Sequence, residues 1–235
     1  MHNLRQFGIV YAIGILSATP ASAGFFDENI EKACPQAAME KEQLLAKRPL
    51  PKPVAIITRP ALQNELKQME REDQAARERF IAAFNAHGGD LPMDDPTSLA
   101  VTHVDEVNLP KLKHIISQDG FPTTAMVGID GLHAAFLLTT HADDDPLFQA
   151  KILTIITPRL RKNEIDGNQF ALLTDRVLVA QGKHQRYGTQ FEGRGDQMKP
   201  KPIQDEAHVD ERRRALGLIS IANYTCVLHA AYDPQ

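Results

Sequence analysis

The stretch PALQNELKQMEREDQAARERFIAAFNAH, residues 60–87, decides the fold class. Leu62, Leu66, Met69, Ala76, Phe80 and Phe84 recur at intervals of three, four or seven, the spacing of one α-helical face. Pro60 suits a first helical position, where its missing N–H has no partner to lose, and Gly88-Gly89 stops the helix. One position on the stripe is not apolar. Asp73 stands four residues after Met69 and seven before Phe80, with Arg77 one turn further on and within reach. Burying an unpaired charge costs several kcal/mol, so Asp73 should be paired. A structural ion pair with Arg77 and a place in a functional site are both open on this evidence.

The same helical period continues on both sides. Residues 27–47 read as helix with a break at Pro35, and RPLPKPVAIITRP (48–60) reads as a Pro-punctuated connector. Gly, Pro, Asp and Ser over 88–102 read as a loop, after which Asn108 is placed to cap a helix with Pro110 in its first turn. That helix ends at Gly120, and Phe121-Pro122 makes a turn. Residues 129–140 are apolar on nearly all sides, as in a central buried helix. Pro146 opens another helix to about residue 161. Asp166-Gly167 breaks the chain before a helix over 169–181, and the last helices cover 206–216 and 220–231. Alternating strand patterns are scarce. The expectation is an all-α fold: a single-domain multi-helix bundle with one irregular or hairpin segment near 183–203.

The first 23 residues read as a signal peptide. Arg5 supplies the positive end and Phe7 to Leu16 the apolar run, and Ala21-Ser22-Ala23 is an A-x-A cleavage site. That apolar run is about half of the ~20 residues that span a bilayer, and no later segment is apolar for long enough to span one. The expected division is thus 1–23 signal peptide, 24–59 N-terminal helix and connector, and 60–235 helical domain. The product should be periplasmic or secreted, with no membrane span once the leader is removed. In such a compartment the cysteine pair Cys34 and Cys226, near the two ends of the mature chain, is a plausible disulfide, the alternative being two buried thiols. The formal net charge of −4 argues against general nucleic-acid binding, which needs a basic footprint. Trp is absent, so sugar-stacking platforms are not advertised.

Polar clusters concentrate between His141 and Arg214. HADDDP (141–146) places an imidazole beside Asp143, Asp144 and Asp145 at the end of the buried helix. This suits an acid/base or metal-ligating His141, and equally an acidic start for the helix at Pro146. His-x-Asp without a second His or Cys at ligand spacing is a weak metal signal, and no metal is expected. Arg213 falls between Val209 and Leu216 on an apolar stripe, with Asp210 in reach of either Arg213 or Arg214. HQRYGTQ (184–190) is a polar loop in which Gly188 permits unusual dihedrals or close backbone approach. No nucleophile-elbow, P-loop or dinucleotide fingerprint occurs, so no cofactor is expected.

These residues resemble an uncharacterised family of bacterial proteins, a domain of unknown function. The segments that carry the resemblance are Asp73-Gln74 with Arg77, Asp105 with Asn108, Gly120-Phe121-Pro122 and Val127-Gly128. HADDDPLFQ (141–149), DRV (175–177), HQRYGTQ and PIQDEAHVDERRRALGL (202–218) complete the set. Phe121 stands where the family pattern would have Trp, and Thr139-Thr140 precede His141 where an apolar residue and an amide are usual. The resemblance implies a common fold and a shared polar centre and supplies no activity. Residues 24–59 lie outside it.

Three readings follow. In the first, an envelope hydrolase or lyase without an organic cofactor uses His141 as acid/base, oriented by Asp73 or Asp143. Arg77, Arg176 and Arg213 are then candidates to bind an anionic substrate group, and Gln185, Tyr187 and Gln190 to position the rest. In the second, the same residues hold a small-molecule or cell-envelope ligand without turnover. In the third, the polar network is structural and function lies on the surface. The enzymatic reading requires these side chains to converge.

Overall fold

The computed structural model describes residues 27–47, 56–92, 94–160, 164–193 and 195–232. The expected signal peptide and most of the connector lie outside them. The fold is all-α, with nine helices and one two-stranded hairpin among the described residues. No described helix is long and apolar enough to cross a membrane. The helices fall into two compact units, one combining the N-terminal helices with everything after residue 165, the other holding the segment between.

The central segment contains α3 (Pro60–Ala86), α4 (Pro96–Asp119), α5 (Thr124–Thr140) and α6 (Pro146–Leu160). Helix α3 lies against both α4 and α5. Its stripe is buried as the spacing predicts, through Leu62, Leu66, Met69, Ala76 and Phe80, and Phe84 stacks on Phe80 at 5.6 Å. Helix α5 is the core of the unit: Val127, Leu132 and every residue from Ala134 to Thr140 are buried. Phe121 meets Phe136 edge-on at 6.1 Å. Gly128 interrupts α5 with φ 68°, so the regular helix resumes at Ile129, where the apolar pattern begins. A Cβ at that glycine would stand 3.0 Å from the Gln63 amide nitrogen.

One boundary differs from expectation. The loop expected over 88–102 ends at Asp95, and α4 runs unbroken from Pro96 through Pro110 to Asp119. Asp95 caps it by accepting from the Thr97 amide at 2.8 Å, and Pro96 takes the first helical position. Pro110 removes one backbone donor from mid-helix, but buried Leu112 and Ile115 hold the turns beyond it. Asn108, expected as a cap, is therefore a buried mid-helix residue.

The other unit is built from α1 (Glu28–Ala33), α2 (Pro35–Ala46), α7 (Gly167–Ala180), the hairpin β1 (Phe191–Glu192) with β2 (Lys199–Pro200), α8 (Val209–Ala215) and α9 (Ile221–Tyr232). The hairpin lies in the segment expected to be irregular, with Phe191 opposite Pro200. Helices α1 and α2 pack on α9. Cys34, at their junction, is bonded to Cys226 of α9 with the Cα atoms 6.1 Å apart. A second fastening is ionic. One oxygen of Glu40 accepts from the Ser220 amide and hydroxyl, both at 2.9 Å, and from the Asn223 amide at 2.6 Å. Burial works to raise the Glu40 carboxyl, and the Asn223 and Ser220 donors outweigh it, leaving the group below its ordinary value.

The disulfide closes a loop of 192 residues. Loop-closure entropy sets an upper limit of about 5 kcal/mol on its contribution. Replacing both cysteines by serine should lower the guanidinium unfolding midpoint markedly, and reduction of the native chain should raise its mass by two hydrogens. An unchanged midpoint would mean that Glu40 and the apolar contacts alone hold α1 and α2.

Candidate functional site

The inward carboxylate on the α3 stripe is the hub of the central unit. Asp73 is 1% exposed. Three side chains donate to it: Gln74 at 2.9 Å and Arg77 Nε at 3.2 and 3.3 Å from its own helix, and His141 Nδ1 from the end of α5 at 2.8 Å to one oxygen and 3.0 Å to the other. The Arg77 guanidinium continues to Asp105 of α4 through Nη2. Spacing along α3 predicts the Asp73–Arg77 pair, and of the two carboxylates considered beside His141, Asp73 is hydrogen-bonded to it. Asp143 accepts from the Gln149 amide at 3.1 Å. Asp145 caps α6, taking the Phe148 amide at 2.9 Å, and pairs with Lys113.

Electrostatics assign the protons. Burial works to raise the Asp73 carboxyl, but the charge and hydrogen bond of His141, with Arg77 and Gln74, hold it below the usual aspartate range. Asp73 is thus ionised and offers only lone pairs. Nδ1 of His141, 2.8 Å away, must carry a hydrogen and donate it. The 3.0 Å approach of Arg77 Nε to the same Nδ1 is a meeting of two donors on one acceptor. A donating Nδ1 makes Nε2 the atom that exchanges a proton.

Two further carboxyl groups feel Asp73. Asp105 is pushed up to about 7, by burial first, then by Asp73 and Asp143 against the pull of Arg77. Glu70, one turn before Asp73 on α3, is also pushed up to about 7, by burial, Asp130 and Asp73. Its Oε1 and the Asn108 Oδ1 are buried with no hydrogen-bond partner among the described residues, and His133 Nε2 stands 3.7 Å from that Oε1. Glu70 and the role of Asp105 were missed in the sequence, although Glu70 sits beside Met69 on the inward face. Access to the pair is through its edge: His141 and Asp73 side chains are 5% and 1% exposed, but Arg77 and Asp105 are 22% and 23% exposed. No group of three or more His, Cys, Asp or Glu among the described residues is arranged to hold a metal ion.

The remaining candidates lie in the other unit, around a different carboxylate. Asp175 of α7, fully buried, accepts from the backbone amides of Arg186 at 2.7 Å, Tyr187 at 3.0 Å and Thr189 at 2.9 Å, and from the Thr189 hydroxyl at 2.9 Å. Burial raises its carboxyl above the ordinary value against the pull of these donors. The 184–190 loop is thereby wound about one side chain. Gln185 acts as a piece of strand: its amide nitrogen donates to the carbonyls of Gln190 and Lys201, and its oxygen accepts from the Gln190 amide at 2.8 Å. Gln190 donates to Thr189 Oγ1 at 3.2 Å. Tyr187 packs edge-on against Phe170. Gly188 has φ 73°, and a Cβ there would lie 2.6 Å from Ile221 Cδ1. Arg213 faces inward as its stripe predicts and is 2% exposed. Spacing leaves Asp210 open to either Arg213 or Arg214; Arg213 donates to the carbonyls of Ile219 and Tyr187, both at 2.6 Å, and lies over the Tyr224 ring at 4.7 Å. Asp210 accepts from the Ile221 amide instead, at 2.7 Å. The Asp210 carboxylate is drawn to the start of α9, so buried Arg213 takes carbonyls. Arg176, the candidate offered by α7, is half-buried, and the hub is its neighbour Asp175. The missed signal was of the kind that revealed Asp73, a carboxylate four residues from buried Ala171.

Two substitutions test these assignments. For Glu70 the folded state holds its proton more tightly than the unfolded state, so stability falls as pH rises from about 4.5 to about 7, by roughly 3 kcal/mol. Glu70→Gln should match wild type in denaturant melts at about pH 4 and exceed it by up to that amount at about pH 8. Equal pH profiles would contradict the raised value. Asp175→Ala leaves the buried amides of Tyr187 and Thr189 and the part-buried amide of Arg186 without an acceptor and should cost about 3 kcal/mol, read from the same melts.

No curated protein and no solved structure matches the chain. A family model does match, over residues 60–235, and it covers every residue of both polar centres. The chain therefore belongs to the family of unknown function DUF6624.

Proposed function

We propose that this is an exported protein whose central helices carry the acid–base site of a cofactor-independent hydrolase or lyase. The observation that carries the reading is the buried Asp73–His141 contact at 2.8 Å, flanked by Arg77 and Asp105. An ionised, buried carboxylate that fixes the imidazole tautomer prepares Nε2 as a general base. Asp105, with its carboxyl near 7, exchanges a proton at neutral pH and serves as the acid. Arg77 balances the charge between the two carboxylates. The disulfide and the signal-like leader support an oxidising compartment outside the cytoplasm.

The role assignments select among the candidates. His141, Asp73 and Asp105 exchange or steer protons, and Arg77 stands at the solvent edge beside them. Gln185 and Arg213 donate to loop backbone, Gln190 donates to Thr189, and Tyr187 packs on Phe170, so these residues hold the 184–190 loop in shape.

A second reading, ligand holding without turnover, is favoured by the depth of His141, whose side chain is 5% exposed. One experiment separates the two. The mature, oxidised protein is assayed on carboxylic esters, phosphate esters, peptides, glycosides and uronic-acid polymers, with His141→Gln, Asp73→Asn and Asp105→Asn alongside. The catalytic reading expects turnover of one class, falling at least about a hundredfold in His141→Gln while the fold persists. Asp105→Asn should remove the limb of the pH–rate profile near neutrality. Binding with ligand recovered unchanged supports the second reading. Wild type inert on every class, or a fully active His141→Gln, overturns the first.

A further inference from the structure

Helix α2 turns one face toward a cavity of about 430 Å³ that neither polar centre uses. Glu40, Gln43, Leu44 and Lys47 follow one another at three, four and seven residues and form one wall, and Arg214 and Gly217, at and after the end of α8, line the other. All six belong to one compact unit. The volume falls within the range of small-molecule sites. The wall is firmly placed, by the Cys34–Cys226 bond at the start of α2 and by the Glu40 clamp on Ser220 and Asn223.

Glu40 and Arg214 act on each other through charge, but neither the Arg214 nor the Lys47 side chain is held in an ion-pair contact or a hydrogen bond among the described residues. Glu40, the single acid among the lining residues, has one oxygen taken by three donors. A cation near a helix C-terminus is favourable on its own account, which explains each residue separately. It does not explain why the two line one cavity, with the Gln43 amide and the Leu44 side chain between Glu40 and Lys47. The α2 wall also lies outside the residues 60–235 that match the family, so the cavity combines a family element with a segment that lies beyond the match.

We propose that this cavity binds a small organic anion, its carboxylate or phosphate head held by Lys47 and Arg214 and its aliphatic part against Leu44. The Gln43 amide orients the head, and Glu40, held by Ser220 and Asn223, limits the site to ligands of modest charge. The proposal is independent of the acid–base reading of the central helices.

The test is calorimetric titration of the oxidised protein with pentanoate, pentyl phosphate and the neutral isostere pentanamide. At least one anion should bind at a single saturable site and pentanamide should not, with the better anion identifying the head group. Loss of one charge-assisted hydrogen bond corresponds to about tenfold in affinity, so Arg214→Gln and Lys47→Gln should each weaken binding by about that factor. Both side chains are exposed, and the variants should melt like wild type. His141→Gln should bind the anion unchanged. The proposal is overturned if neither anion binds at millimolar concentration, if pentanamide binds equally, if Arg214→Gln binds like wild type, or if His141→Gln abolishes binding.

Discussion

A carboxylate taken out of water must be given donors, and each unit of this chain is arranged around one that has been. In the central unit Asp73 draws Arg77 from its own helix, His141 from the end of α5 and, through Arg77, Asp105 from α4. Three helices that pack by apolar contact are thereby held in one register, because a slip of one turn would strand a charge in the core. In the other unit Asp175 gathers the amides of Arg186, Tyr187 and Thr189 and so dictates the course of a loop.

The chemistry of the donors separates the two carboxylates. Backbone amides do not titrate, so the Asp175 centre is a fixed geometric device, extended by the Gln185 side chain that completes a strand-like ladder and by Arg213 beneath Tyr187. The Asp73 centre is built from groups that do titrate. An imidazole, a second carboxyl near 7 and a third near 7 on the adjoining turn share one field, so a proton gained by one changes the others. Carboxyl groups held near neutrality by burial beside a hydrogen-bonded imidazole are the features on which the proposed acid–base role rests.

Much of the fold was legible because apolar period and breakers are local. The α3 stripe, the break at Pro35, the buried helix from Ile129 and the hairpin segment follow from residue type and spacing, and the Cys34–Cys226 bond was one of the two states open to the cysteine pair. The inward positions of Asp73 and Arg213 followed from the same arithmetic. Gly, Pro, Asp and Ser over 88–102 have the composition of a loop, but Asp95-Pro96 within them is a helix start, the aspartate capping and the proline taking the first position. Pro110 was read as a first-turn residue because a proline is cheapest there, and α4 carries it mid-helix since burial of the following turn offsets one lost hydrogen bond.

By itself the sequence determined which faces of the helices are apolar, which charges intrude upon them and which cysteines are available to pair. Those are properties of spacing along one chain, and an α-helix converts spacing into direction without reference to anything else. Only the tertiary structure decided the partners: that His141 meets Asp73, that Arg213 donates to the carbonyls of Ile219 and Tyr187, and that Asp175 gathers the amides of its loop. A buried charge fixes how many donors it needs but not which ones, and that choice belongs to whichever elements packing brings within about 3 Å.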